Sequence, residues 1–205
     1  MIAIVDYGSG NVAAIMNIFR QRKIPHVLTC DAKELAAADR YVLPGVGAFD
    51  PTMDNLRRTG LVEVLNEQVL GKGKKALGVC VGMHLLADGS EEGVLPGLGW
   101  IKGKVRRIDA SRLTGLPKLP HMGWNSIDLA DGARLFDGID TARGFYFLHS
   151  YYFDAANGDE VAARVSYGTA VPCAVQRDNV FGVQFHPEKS HSNGTRLFEN
   201  FARLG

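Results

Sequence analysis

The sequence predicts an α/β fold with a mostly parallel central sheet, flanked by helices and extended by antiparallel strands in its C-terminal half. Two observations carry this. Over residues 1–87, short apolar runs alternate with stretches of helical spacing, the pattern of strand–helix–strand units whose strands lie parallel. Beyond residue 100 the chain turns strand-rich, and helical spacing returns only near its end.

Ile2 to Val5 is an apolar run stopped by Asp6 and by Gly8-Ser9-Gly10, so it reads as a strand entering a glycine turn. Val12, Ile15, Met16 and Phe19 then recur at helical spacing. His26 to Thr29 is a second strand, followed by a helix through Leu35. Tyr41-Val42-Leu43 is a third, ended by Pro44-Gly45. Leu56, Leu61, Leu65 and Val69 mark helical segments interrupted at Gly60. Ala76 to Val79 is the next strand, and a helix follows Cys80 through Leu86. Strands are then expected at Trp100–Ile108, Phe145–Phe153, Val161–Val165, Cys173–Gln176 and Val180–Phe185, with turns at Asn157-Gly158 and Asp178-Asn179. A last helix is capped at Ser192-Asn193 and carries Leu197, Phe198, Phe201 and Leu204 on one face. No repeat or linker interrupts the chain, so residues 1–205 are expected to form one domain.

Composition narrows the function. With 205 residues and a formal net charge of +1, the chain has an ordinary globular balance. Its densest basic cluster is Lys72, Lys74 and Lys75, which is no nucleic-acid footprint. No apolar run is long enough for a membrane span. The first residues read as a strand and not as a signal peptide. Cys30, Cys80 and Cys173 are scattered and odd in number, which argues against a disulfide framework and for a reducing compartment, the cytoplasm. Nothing has metal-ligand spacing, and no cofactor is expected.

Three short segments carry chemistry. Gly78-Val79-Cys80-Val81-Gly82 lies between an apolar strand and a helix, as a nucleophile elbow does: the nucleophile stands on a strained turn, and small neighbours let the chain reverse. A helix N-terminus behind a thiol favours its ionised form. Taken alone, the pentapeptide fits a buried core cysteine equally well. Phe185-His186-Pro187-Glu188 supplies a base and a carboxylate to orient it, as a cysteine nucleophile needs; alone, it reads as a solvated loop. Pro44-Gly45-Val46-Gly47 also follows a strand, and its glycines allow N–H groups to turn toward a ligand as an oxyanion hole; alone, it is a plain turn. All three follow strands, and open α/β sheets bind ligands at the carboxyl ends of their strands.

These segments resemble the triad class of glutamine amidotransferases. Asp6-Tyr7-Gly8-Ser9-Gly10-Asn11, Pro120-His121-Met122-Gly123-Trp124-Asn125 and Tyr146-Phe147-Leu148-His149-Ser150-Tyr151 narrow the resemblance to the glutaminase subunits of imidazole glycerol phosphate synthase, from Ile2 to Phe201. The resemblance implies that Cys80 attacks the carboxamide of L-glutamine, with His186 as base and then acid and Glu188 orienting it. It implies oxyanion donors at Val81 and, after rotation of a peptide, at Gly45 or Val46. Gly47, His84, Glu92, Ser150 and Tyr151 match substrate-binding positions, with Glu92 on the ammonium. Met122, Trp124, Asn125, Tyr146 and Lys189 match positions facing a (β/α)8-barrel cyclase subunit in a one-to-one complex. Core packing is the competing account of Met122, Trp124 and Tyr146.

His84 departs from the family pattern, which has glutamine there. Histidine donates differently and titrates, so glutamine affinity is in question. A second reading is a paralogous glutaminase that supplies a sugar amidotransferase in surface-polysaccharide synthesis; Ser90-Glu91-Glu92-Gly93 and Gly97-Leu98-Gly99-Trp100-Ile101 resemble that group. Readings of other classes are a cysteine peptidase and a catalytically silent regulatory or binding protein. The intact Cys80, His186 and Glu188 set argues against the silent protein, and the Glu92 and Trp124 segments fit a glutaminase better than a peptidase.

Overall fold

The computed structural model describes residues 1–114 and 118–205. The first half runs β1 (Ile2–Val5), α1 (Val12–Gln21), β2 (His26–Thr29), α2 (Ala32–Ala37), β3 (Arg40–Gly45), α3 (Phe49–Arg58), α4 (Val62–Asn66), a π-helical turn (Glu67–Gly71), β4 (Lys75–Cys80) and α5 (Val81–His84). The second half runs β5 (Gly89–Ser90), β6 (Gly103–Arg107), β7 (His121–Asn125), β8 (Asp128–Leu129), β9 (Phe145–His149), β10 (Tyr151–Ala155), β11 (Val161–Tyr167), β12 (Thr169–Arg177), β13 (Val180–Val183) and α6 (His191–Arg203).

The main sheet has the order β2-β1-β3-β4-β13-β12-β11-β8. From β2 to β13 neighbouring strands are parallel, and from β12 outward they alternate. The expected parallel core with antiparallel additions is therefore observed. β1 and β13 are buried at every residue, which is why they read as unbroken apolar runs and not as alternating ones. α1 buries Ile15 and Phe19, one helical turn apart, and α6 buries Leu197, Phe198 and Phe201. Asp31 caps α2 by accepting from the Lys33 and Glu34 amides. Two smaller sheets, β10-β6-β5 and β7-β9, complete the described residues.

The differences from the sequence expectation have local causes. β3 does not stop at Leu43. It continues through Pro44 and Gly45, which pair with Val79 and Cys80 of β4. β1 pairs with β3 only as far as Val42. The Pro44 carbonyl accepts from the Tyr7 hydroxyl just past the end of β1. That side of Pro44 faces no strand, so the missing N–H costs no ladder bond. The helix after Cys80 ends at His84 and not at Leu86. The Leu85, Leu86 and Ala87 carbonyls instead accept from Leu98, Ile101 and Gly99 at 2.7, 3.1 and 3.0 Å, pulling the chain out of the helix. Phe145–Phe153 is two strands broken at Ser150, β9 pairing with β7 and β10 with β6. α6 begins at His191, before the expected cap. Asn193 is buried and donates its amide to the Asp140 and Gly144 carbonyls, and Leu204 lies just past the helix.

Candidate active site

Cys80 ends β4 and precedes α5 in a conformation rare for a side chain, with φ 54° and ψ −114°. Three glycines permit it. A Cβ on Gly45 would stand 2.8 Å from the Val81 carbonyl carbon. One on Gly78 would stand 2.7 Å from the Gly82 carbonyl carbon, and one on Gly82 would stand 2.9 Å from that of Leu43. The start of α5 thus lies directly against β3 and β4. The Val81 amide opens that helix, where N–H groups have no intrahelical partner.

β13 pairs with β4 in the register Val183↔Val79, which brings the segment after β13 alongside Cys80. The His186 amide is fixed by the Tyr146 carbonyl at 2.9 Å, and Ser190 Oγ donates to the His186 carbonyl at 2.6 Å. His186 Nδ1 meets Glu188 Oε1 at 2.9 Å, with both side chains almost fully buried. The second Glu188 oxygen is buried without a partner. Burial opposes charge on His186. Its hydrogen bonds to Cys80 and Glu188, and their negative charge, outweigh that and raise its pKa to about 10. At neutral pH this is an imidazolium held between a sulfur and a carboxylate.

Cys80 and His186 line a cavity of about 340 Å³, within the range of small-molecule sites. Val81 and Val46 line it, as do Gly47, His84, Glu92, Ser150 and Tyr151, all singled out from the sequence. Gly45 is packed behind it, against Val81 and Gly82. The Val46 amide donates to Ser9 Oγ at 3.1 Å, and Ser9 Oγ lies 3.2 Å from the Val46 carbonyl. The loop therefore holds this N–H on Ser9. Glu92 Oε2 accepts from the Phe49 amide at 2.9 Å, capping α3, whose own N-cap residue Ala48 cannot. Asp50 returns the tie by accepting from the Val94 and Leu95 amides, and it fills the space a side chain at Gly93 would need.

His84 is buried, which lowers its pKa to about 4 despite an opposing hydrogen bond to Gln184. Its Nε2 lies 2.8 Å from Gln184 Oε1, its Nδ1 is unpartnered, and Gln184 Nε2 lies 4.0 Å from Cys80 Sγ. Burial also pushes the Cys173 thiol up, and Cys30 is exposed. Among the described residues, no group of three or more His, Cys, Asp or Glu stands close enough to hold a metal, and no helix is long and apolar enough to cross a membrane.

The outer face of the β7–β9 pair exposes Met122 (60%) and Trp124 (43%), so neither is a core residue. Tyr146 pairs opposite Trp124, and Lys189 Nζ lies 5.5 Å from the Tyr146 ring centroid. The Trp124 ring stacks on His191. Asn125 differs from this group: strand alternation places it on the inner face with His121, to which its amide donates. Sequence reasoning passed over Ser9 and Gln184, whose partners are far along the chain. It named His149 without a role, although alternation along β9 places it on the buried face.

Comparison with known proteins gives a consistent result. The glutamine amidotransferase class-I family model matches residues 3–204. The chain is 47% identical to the imidazole glycerol phosphate synthase subunit HisH of Bdellovibrio bacteriovorus over 205 residues, covering 100% of both chains. It is 43% identical to subunit HisH 2 of Pseudomonas aeruginosa over 206 residues, again covering 100% of both. Among solved structures, a glutamine amidotransferase superposes with a TM-score of 0.72 at 18% identity, covering 100% of both chains. PurLQS from Thermotoga maritima gives 0.69 at 16%, covering 98% of this chain and 96% of that one. At these identities the structural likeness speaks for the fold.

Proposed function

The chain belongs to the class-I glutamine amidotransferases and, within them, to the HisH subunits of imidazole glycerol phosphate synthase, and on that footing we propose that Cys80, His186 and Glu188 hydrolyse glutamine for a partner subunit in histidine biosynthesis. The observation that carries the reading is the Cys80–His186–Glu188 arrangement at the carboxyl ends of β4 and β13, opening on one cavity.

The Cys80 thiolate attacks the glutamine carboxamide carbon. The oxyanion takes the Val81 N–H, and the Val46 N–H supplies a second donor once its peptide rotates and leaves Ser9. His186, already protonated, gives its proton to the departing ammonia, leaving a glutamyl thioester. A water then loses a proton to His186 and attacks the thioester, and collapse of the adduct releases glutamate and expels the Cys80 thiolate beside the re-formed imidazolium. Glu188 stabilises the imidazolium through Nδ1 and fixes the ring so that Nε2 faces the sulfur. Glu92 holds the substrate ammonium while capping α3, and Gly47, His84, Ser150 and Tyr151 shape the rest of the site.

The ammonia passes to a (β/α)8-barrel cyclase subunit, in a one-to-one complex made through Met122, Trp124, Tyr146 and Lys189. There it reacts with a phosphorylated ribulosyl aminoimidazole intermediate to give imidazole glycerol phosphate and an aminoimidazole carboxamide ribonucleotide. Residues 1–205 serve as a single amidotransferase domain working in the cytoplasm, with no cofactor. The test is glutamate release from glutamine by the purified chain, alone and with a histidine-pathway cyclase and its nucleotide substrate. Weak release that the liganded cyclase strongly stimulates supports the proposal. A complex that forms and yields no glutamate refutes the triad reading, and failure to form a complex refutes the partner.

A further inference from the structure

His121 and His149 are buried, yet the chemistry above uses neither. Their hydrogen bonds can be assigned from the two ends inward. At one end, His149 Nδ1 lies 2.8 Å from the Tyr151 carbonyl, which only accepts, so Nδ1 carries the proton. At the other end, Asn125 Nδ2 lies 3.0 Å from the Ser166 carbonyl. That contact fixes the Asn125 amide so that the same nitrogen, 3.3 Å from His121 Nε2, donates to it. Between the ends, His121 Nδ1 and His149 Nε2 are 3.0 Å apart. His149 Nε2 has no proton left to give when the ring is neutral, so His121 Nδ1 donates. Both ends independently demand the same tautomer, Nδ1–H, in both rings. Burial favours the neutral rings, lowering His121 to about 4 and His149 to about 3. The His121 ring is held between Phe147 and Tyr167, stacked at 4.7 and 4.1 Å, so it has little freedom to turn.

The two ends of this chain have different neighbours. Asn125 is the last residue of β7, next to Trp124, on the strand whose outer face presents Met122 and Trp124. The inner end is Tyr151, and His149, Ser150 and Tyr151 all line the cavity that holds Cys80. Resting on the glutaminase reading above, we propose that His121 and His149 are positioning residues, forming a one-directional hydrogen-bond chain from Asn125 to the Tyr151 carbonyl that sets the 149–151 wall of the glutamine site and ties it to the strand bearing the candidate partner face. A shift of β7 on docking is then felt at the wall that touches substrate, through four groups whose hydrogen bonds leave one arrangement.

The experiment has a spectroscopic arm and a kinetic arm, both on the full chain. In ¹⁵N-histidine NMR at neutral pH, His121 and His149 are expected with protonated Nδ1 and bare Nε2, the less common tautomer of a free imidazole. Either ring found with its proton on Nε2, or as an imidazolium, overturns the chain. In the kinetic arm, with the cyclase and its nucleotide substrate present, His149→Leu raises KM for glutamine about tenfold while kcat changes little. His149→Asn, which keeps a donor near the Nδ1 position, restores KM to within about threefold. Asn125→Leu, which cuts the chain at its far end, raises KM about threefold, while the His149 end keeps His121 in its Nδ1–H form. Leu and Asn variants at 149 that behave alike, or an Asn125→Leu protein with unchanged KM, overturn the positioning role. A parent chain that releases no glutamate refutes the functional reading itself, a result distinct from variants whose KM fails to move.

Discussion

Gly82→Ala tests whether the elbow depends on the close approach of α5 to β3. The new Cβ would stand 2.9 Å from the Leu43 carbonyl carbon and closer still to its oxygen. An ordinary carbon–carbon contact is about 3.5 Å, so α5 or β3 must move by roughly 0.6 Å or more. β3 cannot yield cheaply, since it is hydrogen-bonded to β1 and β4 within the main sheet. Overpacking of this kind costs about 1–3 kcal/mol. A clash against backbone belongs at the upper end, and for a chain of this size about 3 kcal/mol corresponds to a fall in Tm of about 6–12 °C. The motion falls on α5, whose first amide is the proposed oxyanion donor. Because a misplacement of about 1 Å costs about a hundredfold in rate, kcat for glutamate release should drop by about tenfold to a hundredfold. Gly158→Ala, at a site where a Cβ meets nothing within 4 Å, is the control and should leave both quantities nearly unchanged. Thermal unfolding followed by circular dichroism and a coupled glutamate assay read the two effects. A Gly82→Ala protein that melts within a degree of the parent and keeps its kcat would refute the packing argument.

Three further outcomes are expected. Cys80→Ala abolishes glutamine-dependent synthesis but leaves synthesis from added ammonia in the complex with the cyclase; loss of both, with the complex still assembled, contradicts the division of labour. His84→Gln changes KM for glutamine severalfold and kcat less than twofold, because this neutral buried ring lines the site and takes no proton during the reaction; a large fall in kcat at unchanged KM argues otherwise. His186 stays an imidazolium through pH 8 in ¹⁵N-histidine NMR. Its folded pKa is raised, so its contribution to stability is complete below its unfolded value of 6.5 and is lost as pH rises through about 10. A His186 ring that titrates between pH 6 and 7 rejects the ion-pair account.

The parts of the candidate site were legible because each is a short local signal: Cys80 between its glycines, His186 two residues from Glu188, a glycine loop after a strand. Chain order alone could not say that these meet. The parallel register of β3, β4 and β13 supplies that: the alternation of apolar runs and helical spacing in the first half accounts for β3 and β4, whereas β13 joins them in parallel from the strand-rich second half. What sequence reasoning missed is long-range. Pro44 ends a strand in most settings, and it is tolerated here only because β1 stops short of it. Leu85 and Leu86 keep helical spacing past His84, but the 98–101 segment captures their carbonyls. Ser192-Asn193 has the composition of a cap, yet Asn193 is needed by Asp140 and Gly144 across some fifty residues. Asn125 belongs by motif with Trp124, and strand alternation sends it to the opposite face.

The central claim is that Cys80 is the nucleophile toward the glutamine carboxamide. The most direct measurement is mass spectrometry of the chain after incubation with 6-diazo-5-oxo-L-norleucine, an electrophilic glutamine analogue. A single adduct on the Cys80 peptide, suppressed by excess glutamine and absent from a folded Cys80→Ala variant, is the predicted result. The exposed Cys30 thiol and the buried Cys173 thiol serve as internal controls. An adduct on either of them in place of Cys80, or glutamine hydrolysis that survives in Cys80→Ala, would contradict the claim.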